Sequence, residues 1–263
     1  MNLIDAIKVR KSTRTYAGHL SESQLAYVAE VIDKVPSLPG TTATLRLHHF
    51  DTEGSFRPGT YGFIKGAGDF ILVAMSDETA SMLCAGYMGE DVVLRATQAG
   101  LGTCWIGGTF RNADFSQGQK WPDGQTLKAI IPIGTPADSS SVRDRLMRFA
   151  VSANSRKPFD RLFFDNGTEK PLDSDNTFAG SLELMRLAPS STNSQPWRAI
   201  VIGKSVFFYS AGKGTLHMID LGIGLRHFMI GEEYAGHKGE ISLGTYGAPD
   251  VPGWIPIASY HRM

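Results

Sequence analysis

This sequence has no excess of charge of either sign. Its 263 residues hold 26 Lys and Arg against 26 Asp and Glu, so no broad field exists to steer it onto nucleic acid or an anionic membrane, and neither is an expected partner. Cysteine is scarce. Only Cys84 and Cys104 occur, without metal-ligand spacing, and they read as buried small side chains of a reducing compartment. Long apolar runs are missing as well: Met1 to Lys11 is interrupted by charge, unlike a signal peptide, and no later stretch reaches membrane-spanning length. A cytoplasmic protein is expected. Catalytic signatures are equally thin. There is no Gly-x-Ser-x-Gly elbow and no phosphate loop, and His48, His49, His217, His227 and His237 show no zinc-binding spacing. Gly222-Ile223-Gly224 falls inside a helical pattern with no buried strand before it, which argues against a dinucleotide fingerprint. With no evident acid, base or nucleophile motif, the reactive atoms are expected to belong to a cofactor.

What the chain does hold is an ordered set of amphipathic segments. Leu3, Ile4, Ala6, Ile7 and Val9 predict a short helix that runs into the basic stretch Arg10-Lys11-Ser12-Thr13-Arg14. Ser21 with Gln24 forms a capping box, after which Leu25, Val28, Ala29 and Ile32 give one apolar helix face as far as Pro36. Residues 44–50 alternate as a strand, 70–75 read as a strand buried on both faces, and 80–99 as a long helix stopped by Gly100. In that helix Ala85, Gly89, Ala96 and Ala99 offer a low stripe on which another helix could settle. A turn and an extended stretch lead to the glycine pair Gly107-Gly108, and a strand at 129–134 is closed by Gly134-Thr135-Pro136. Charged and polar residues dominate 138–175, where a linker is expected. Beyond it the order recurs: a helix ending at Leu187, strands at 197–202 and 206–209, and a long helix from about Leu216 to Ala235. Ala85-Gly86 through Ala99-Gly100 aligns without a gap on Leu221-Gly222 through Ala235-Gly236, and the same register sets Gly108 against Gly244. Shared element order, more than identity, implies an internal duplication.

Two kinds of stretch could carry binding chemistry. Arg10, Lys11, Ser12 and Arg14 can present a guanidinium fork and a hydroxyl to a phosphate, although a solvated basic patch has the same composition. Ser155-Arg156-Lys157-Pro158 is a second such group, held extended by its proline; if the two met in space they could neutralise a phosphate dianion. The other stretch is 188–197, Ala-Pro-Ser-Ser-Thr-Asn-Ser-Gln-Pro-Trp. Ser190, Ser191, Asn193 and Gln195 offer donor and acceptor groups suited to the edge of an imide or pyrimidine, and a capped turn would use the same residues.

Together these pieces resemble the nitroreductase family of FMN-dependent oxidoreductases. The resemblance rests on Arg10-Lys11-Ser12-Thr13-Arg14-Thr15-Tyr16, on 188–197, 100–108 and 131–136, and on Arg156-Lys157-Pro158, so it spans most of the chain. It implies an α+β fold in which two chains ordinarily intertwine around FMN at their interface. The basic motif then holds the phosphate and flavin edge, and the Pro-Ser-Ser-x-Asn segment comes from the partner. This sequence departs from that pattern. The Pro-Ser-Ser-x-Asn segment is lost from its ordinary place, here 35–40, and stands in the second half, which lacks an upstream Arg-x-Ser-x-Arg motif. The implied arrangement resembles a single-chain pseudo-dimer with one flavin site: a first half over 1–150, a linker over 151–175 carrying Arg156, and a second half over 176–263. The resemblance assigns flavin binding to Arg10, Lys11, Ser12, Arg14, Gly107, Gly108, Arg156, Pro189, Ser190, Ser191, Asn193 and Gln195. Arg14 would lie beside N1 and O2, the 107–108 amides would lie near N5 and O4, and no side chain need donate a proton. Tyr61 and Lys65 fall in a loop that can hold flavin or substrate contacts. The expected function is passage of hydride from NAD(P)H through FMN to a small conjugated acceptor, a nitroaromatic or quinone, in a monomer. The alternative is a non-catalytic FMN-binding redox sensor or carrier.

Overall fold

Local sequence starts and stops the helices. The computed structural model describes residues 1–51, 58–137, 155–212, 214–244 and 246–263; the half boundary expected at 150 lies outside the described residues. Helix α1 (Leu3–Val9) is opened by a capping box between Asn2 and Asp5, and α2 (Glu22–Asp33) by the one read between Ser21 and Gln24. The two long helices, α3 (Thr79–Gln98) and α6 (Thr215–Tyr234), end alike. Gly100 and Gly236 both take positive φ, and Leu101 N–H donates to Ala96 O just as His237 N–H donates to Glu232 O. This is the glycine C-cap that satisfies the last helical carbonyls. In the gapless register 96, 100 and 101 correspond to 232, 236 and 237, so the duplication read from element order extends to hydrogen bonds.

The sheets repeat in the same way. The first half supplies β2 (Thr44–His49), β4 (Asp69–Met75), β5 (Gly102–Thr103), β6 (Ile106–Gly107) and β7 (Thr126–Gly134), in the order β2-β4-β7-β5 with β6 also on β7. The second supplies β9 (Trp197–Ile202), β10 (Ser205–Ser210), β11 (Gly239–Leu243) and β12 (Ile255–Arg262), in the order β9-β10-β12-β11. Every neighbour within these two sets is antiparallel. Short strands β1 (Thr15–Gly18) and β3 (Lys65–Ala67) pair in parallel beside the first sheet. Two corrections to the sequence reading follow. The stretch expected to be only a linker contains β8 (Phe163–Asp165), which adds in parallel to the edge strand β9. The tail after Gly236, read without strands, supplies β11 and β12. Pro256 sits in β12 where the pairing with β10 shifts register, the kind of irregularity that lets proline enter a ladder.

A short helix α4 (Asn112–Ser116) covers the first sheet beside an edge-to-face cluster of Phe50, Phe70, Phe110 and Phe115, and α5 (Ala179–Leu187) packs along α6. One continuous apolar core takes residues from both halves, Ile71, Leu83 and Ile131 together with Leu182, Phe208 and Phe228.

The centre of that core is the crossing of α3 and α6. A Cβ on Gly86 would run into the Ile219 carbonyl, lying 2.9 Å from its carbon and 3.0 Å from Ile223 N. A Cβ on Gly222 would run into the Leu83 carbonyl, lying 2.9 Å from its carbon and 2.9 Å from Tyr87 N. Each helix therefore lays backbone on backbone at the other's glycine, the geometry of an internal twofold. The small stripe read from sequence is corrected in one place: Gly89 faces the Trp105 ring, and Gly86 makes the crossing.

Because the obstacles are backbone atoms, Gly86→Ala and Gly222→Ala should each destabilise by about 3 kcal/mol or more. Gly180→Ala in α5, where a Cβ meets nothing within 4 Å, should be neutral or stabilising. Urea unfolding of the three variants checks the contrast.

Candidate functional site

The basic stretch is pinned before it reaches the site. Arg10 caps α1, its N–H donating to Ala6 O. Ser12 bridges to Thr103, Thr13 N–H donates 2.8 Å to Thr103 O, and Gly102 leaves room for the Thr13 side chain. Strand β1 continues directly from Arg14. The second-half loop is fixed with comparable care. Thr192, Asn193 and Gln195 all have φ near +50°, a region costly for β-branched threonine and found where surrounding contacts over-determine the backbone. Here the Gln195 amide N–H donates to Ser190 Oγ at 2.9 Å, Ser191 N–H donates to Asp220 Oδ1 at 2.9 Å, and Asn193 Nδ2 donates to Ser155 O at 3.0 Å.

Between these segments lies a cavity of about 300 Å³. Arg10, Ser12 and Arg14 line it from the first half, Pro189, Ser190, Ser191 and Asn193 from the second, and Arg156 from the segment between them. Its apolar walls come from Phe63, Ile64, Ile106 and Ala129 on one side and Leu216, Ile219 and Ile223 of α6 on the other. Two buried guanidinium nitrogens of the lining arginines, Arg10 Nε and Arg14 Nη1, have no hydrogen-bond partner among the described residues. Burial, then the neighbouring Arg10 and Arg186, holds the Arg156 guanidinium below its ordinary pKa. Crowded, desolvated cations with unused donors are what an anionic group would satisfy.

Arg10 is backed by the helix crossing. Its Nε lies 4.0 Å from Glu90 Oε1, and Glu90, fully buried, also accepts Trp105 Nε1–H at 2.8 Å. His227 of α6 faces the same carboxylate with Nε2 at 2.9 Å and the Leu184 carbonyl with Nδ1 at 3.0 Å. A neutral imidazole has one N–H, so two acceptors require an extra proton on the ring or on Glu90. One residue along each helix, Arg226 Nε donates to Asp91 Oδ1 at 2.9 Å.

The sequence-assigned residues divide into two groups. Arg10, Ser12, Arg14, Gly107, Arg156, Pro189, Ser190, Ser191 and Asn193 converge on the cavity; a Cβ on Gly107 would meet Leu216 Cδ2 at 2.7 Å across the two halves. Lys11, Gly108 and Gln195 do not line it. Lys11 and Gly108 are exposed, whereas Gln195 is buried and structural: Oε1 accepts Lys157 N–H at 2.7 Å and Nε2 donates to Asn193 O at 3.1 Å. Tyr61 and Lys65 also stay outside, and their loop contributes Phe63 and Ile64 instead. Sequence reasoning missed Cys104, Trp105 and Asp220 among the lining residues. For Asp220 a signal existed, since it is the one acid in the run 216–225, which is apolar except for it and His217.

Asp220 is the cavity's acidic group. It is 4% exposed, and Oδ2 has no hydrogen-bond partner among the described residues. Burial raises its pKa to about 7, and the hydrogen bond from the Ser191 amide pulls it back only in part.

A protein of α+β fold with two sheets of matching order around crossed central helices, and an arginine-rich cavity between the halves, is the class defined so far. The family described as "Putative TM nitroreductase" matches residues 2–232, and the chain belongs to that family. A nitroreductase structure from Thermotoga maritima is 21% identical over 100% of this chain and 93% of its own, with a TM-score of 0.60, and shares the fold. A nitroreductase from Bacteroides fragilis with bound FMN is 18% identical over 54% of this chain and 92% of its own, at a TM-score of 0.41. One from Clostridium novyi is 19% identical over 54% of this chain and 90% of its own, at 0.40. Each of the last two spans about half of this chain. No curated protein matches it, and no described helix is long and apolar enough to cross a membrane.

The raised Asp220 pKa fixes the sign of a pH effect. The unfolded chain releases this proton near 3.8, the ordinary value for an aspartate, and the folded one near 7, so the stability contributed by the protonated form is complete below 3.8 and is lost as pH rises through 7. Asp220→Asn keeps an acceptor for the Ser191 amide. Between pH 5 and 7 the ligand-free wild type should lose about 1.4 kcal/mol per pH unit relative to this variant, measured by urea unfolding of both.

Proposed function

We propose that the chain binds one FMN in the interface cavity and acts as an NAD(P)H-dependent oxidoreductase on a small conjugated acceptor. The observation that carries this reading is the convergence of three arginines with the Pro189–Asn193 loop around one apolar slot, where Arg10 Nε and Arg14 Nη1 have no hydrogen-bond partner among the described residues. Arg10 and Arg156 would hold the phosphate with Ser12, as charge-assisted donors. Arg14 would lie along the N1 and O2 edge, where a fixed cation favours negative charge on a reduced ring. Ser190, Ser191 and Asn193 would bound the ring from the second half, and Phe63, Ile64 and the α6 side chains would exclude water from its faces. Bound FMN supplies two-electron transfer at N5, which no side chain here can perform.

Titrating the purified chain with FMN, followed by flavin fluorescence, should give one flavin per chain, and Arg14→Ala should weaken binding about tenfold to a hundredfold. Anaerobic addition of NADH or NADPH should then bleach the bound flavin. Absence of FMN binding overturns the proposal, while a flavin reducible only by dithionite would leave the redox sensor or carrier reading in its place.

A further inference from the structure

We propose that His19, His49 and Asp69 form a binding site for a divalent transition-metal ion of the zinc type, independent of the flavin reading. The five histidines weighed in sequence lack zinc spacing; the fold supplies a cluster by another route. His49 ends β2 and Asp69 begins β4, and the two are direct cross-strand partners. His19 comes from the turn after β1. Its ring occupies the place that a Cβ on residue 68 would fill, so glycine there is a condition of the cluster.

The donor atoms already face one another. His49 Nδ1 lies 2.8 Å from Asp69 Oδ1, His19 Nδ1 lies 3.4 Å from Asp69 Oδ2, and the three ligand atoms fall within 4.8 Å of one another. Two bonds of roughly 2.0–2.1 Å at a tetrahedral angle put their ends about 3.3 Å apart; the observed 2.8 and 3.4 Å bracket that spacing, each to a different oxygen of Asp69, so an ion held by all three side chains needs a small rotation of the carboxylate or of an imidazole. Asp69 is fully buried and aligned by the Leu20 N–H on Oδ2 at 2.7 Å, an outer-shell donor that orients the carboxylate. The imidazoles, with centroids 4.4 Å apart, stay partly exposed, at 33% and 51% of their side-chain surface. Solvent can therefore reach an ion and supply its remaining ligand.

The Leu20 amide and the His49 imidazole hold the Asp69 carboxylate at 2.7 and 2.8 Å, and His19 Nδ1 stands 3.4 Å from it. Strand alternation sends the adjacent His48 elsewhere, to Gln119 at 3.3 Å. Two neutral imidazoles and one carboxylate are a borderline ligand set, suited to zinc, cobalt or nickel and too poor in oxygen for calcium or magnesium. The ion would take the place of the hydrogen bond between His49 Nδ1 and Asp69 Oδ1, with the single proton of the neutral imidazole on Nε2.

Calorimetric titration of the chelator-stripped full chain with zinc chloride should show one saturable site per chain, and His19→Gln and His49→Gln should each weaken it at least tenfold. His48→Gln, on the opposite strand face, should leave it unchanged. Absence of saturable binding overturns the proposal, as does zinc binding that survives both the His19→Gln and His49→Gln substitutions. The histidines are partly exposed, so these variants carry the test without disturbing buried Asp69. FMN titration of the same preparations keeps this result separate from the flavin reading.

Discussion

The structure depends on the contact of α3 with α6 at Gly86 and Gly222. Two glycines bring the helix backbones together, and the buried acids and bases one turn further along can then meet: Glu90 with His227, and Asp91 with Arg226. The register that aligns Gly86 with Gly222 also aligns 90 with 226 and 91 with 227, so the two pairs are images of one another under the internal twofold. A homodimer with true twofold symmetry repeats the same residues on both helices. It would set acid against acid, or base against base, at both places. Two unlike halves on one chain allow both acids on α3 and both bases on α6, so that each acid meets a base. Removing one partner would leave an uncompensated buried charge, a loss of about 3–5 kcal/mol, and this ties the fused architecture to its sequence.

That contact also reaches the cavity. Glu90 stands between His227 of the second half and two residues of the cavity wall in the first, accepting from Trp105 and neutralising Arg10. The Arg10 guanidinium is therefore positioned by a carboxylate which is itself held from the other half. In the same way Asp220 of α6 receives the Ser191 amide and fixes the opposite wall. The helix pair is thus both the core of the fold and the frame on which two distant stretches of sequence, 10–14 and 189–193, are set facing each other.

Much of this was legible in the sequence, for identifiable reasons. Capping boxes and glycine stops are local, and α2, α3 and α6 end within a residue or two of where those signals put them. The displacement of the Ser-Asn segment into the second half pointed to a cavity shared by the two halves because position, rather than composition, carried the information. What escaped depends on partners distant in sequence. β8 is three residues long and exists only because β9 offers a parallel edge; β12 contains a proline, and β11 gains order from β12 alone. Gln195 has the same donors and acceptors as its neighbours, and only the fold shows them taken up by Lys157 and Asn193. Choosing Gly86 over Gly89 as the crossing point likewise required the second helix.

The unlikeness of the halves also shows where α6 meets the cavity. On α6 the lining residues are Leu216, Ile219, Asp220 and Ile223; the internal register places Ala80, Leu83, Cys84 and Tyr87 at the matching positions on α3. Leu83, Cys84 and Tyr87 are buried, Cys84 lies 3.4 Å from Met88 sulfur, and the Tyr87 hydroxyl accepts from Arg226. Tyrosine in place of isoleucine adds volume where an open slot would need space, and that hydroxyl is engaged by the core network. Cysteine in place of aspartate removes the acceptor that on α6 anchors the Ser191 loop. The substitutions that give the crossing its complementary charges and those that fill the α3 face thus lie on the same two helices, within two turns of each other. Close packing holds these α3 side chains in the core, so the asymmetry that stabilises the fused pair also sets the buried face of α3 apart from the cavity-lining face of α6.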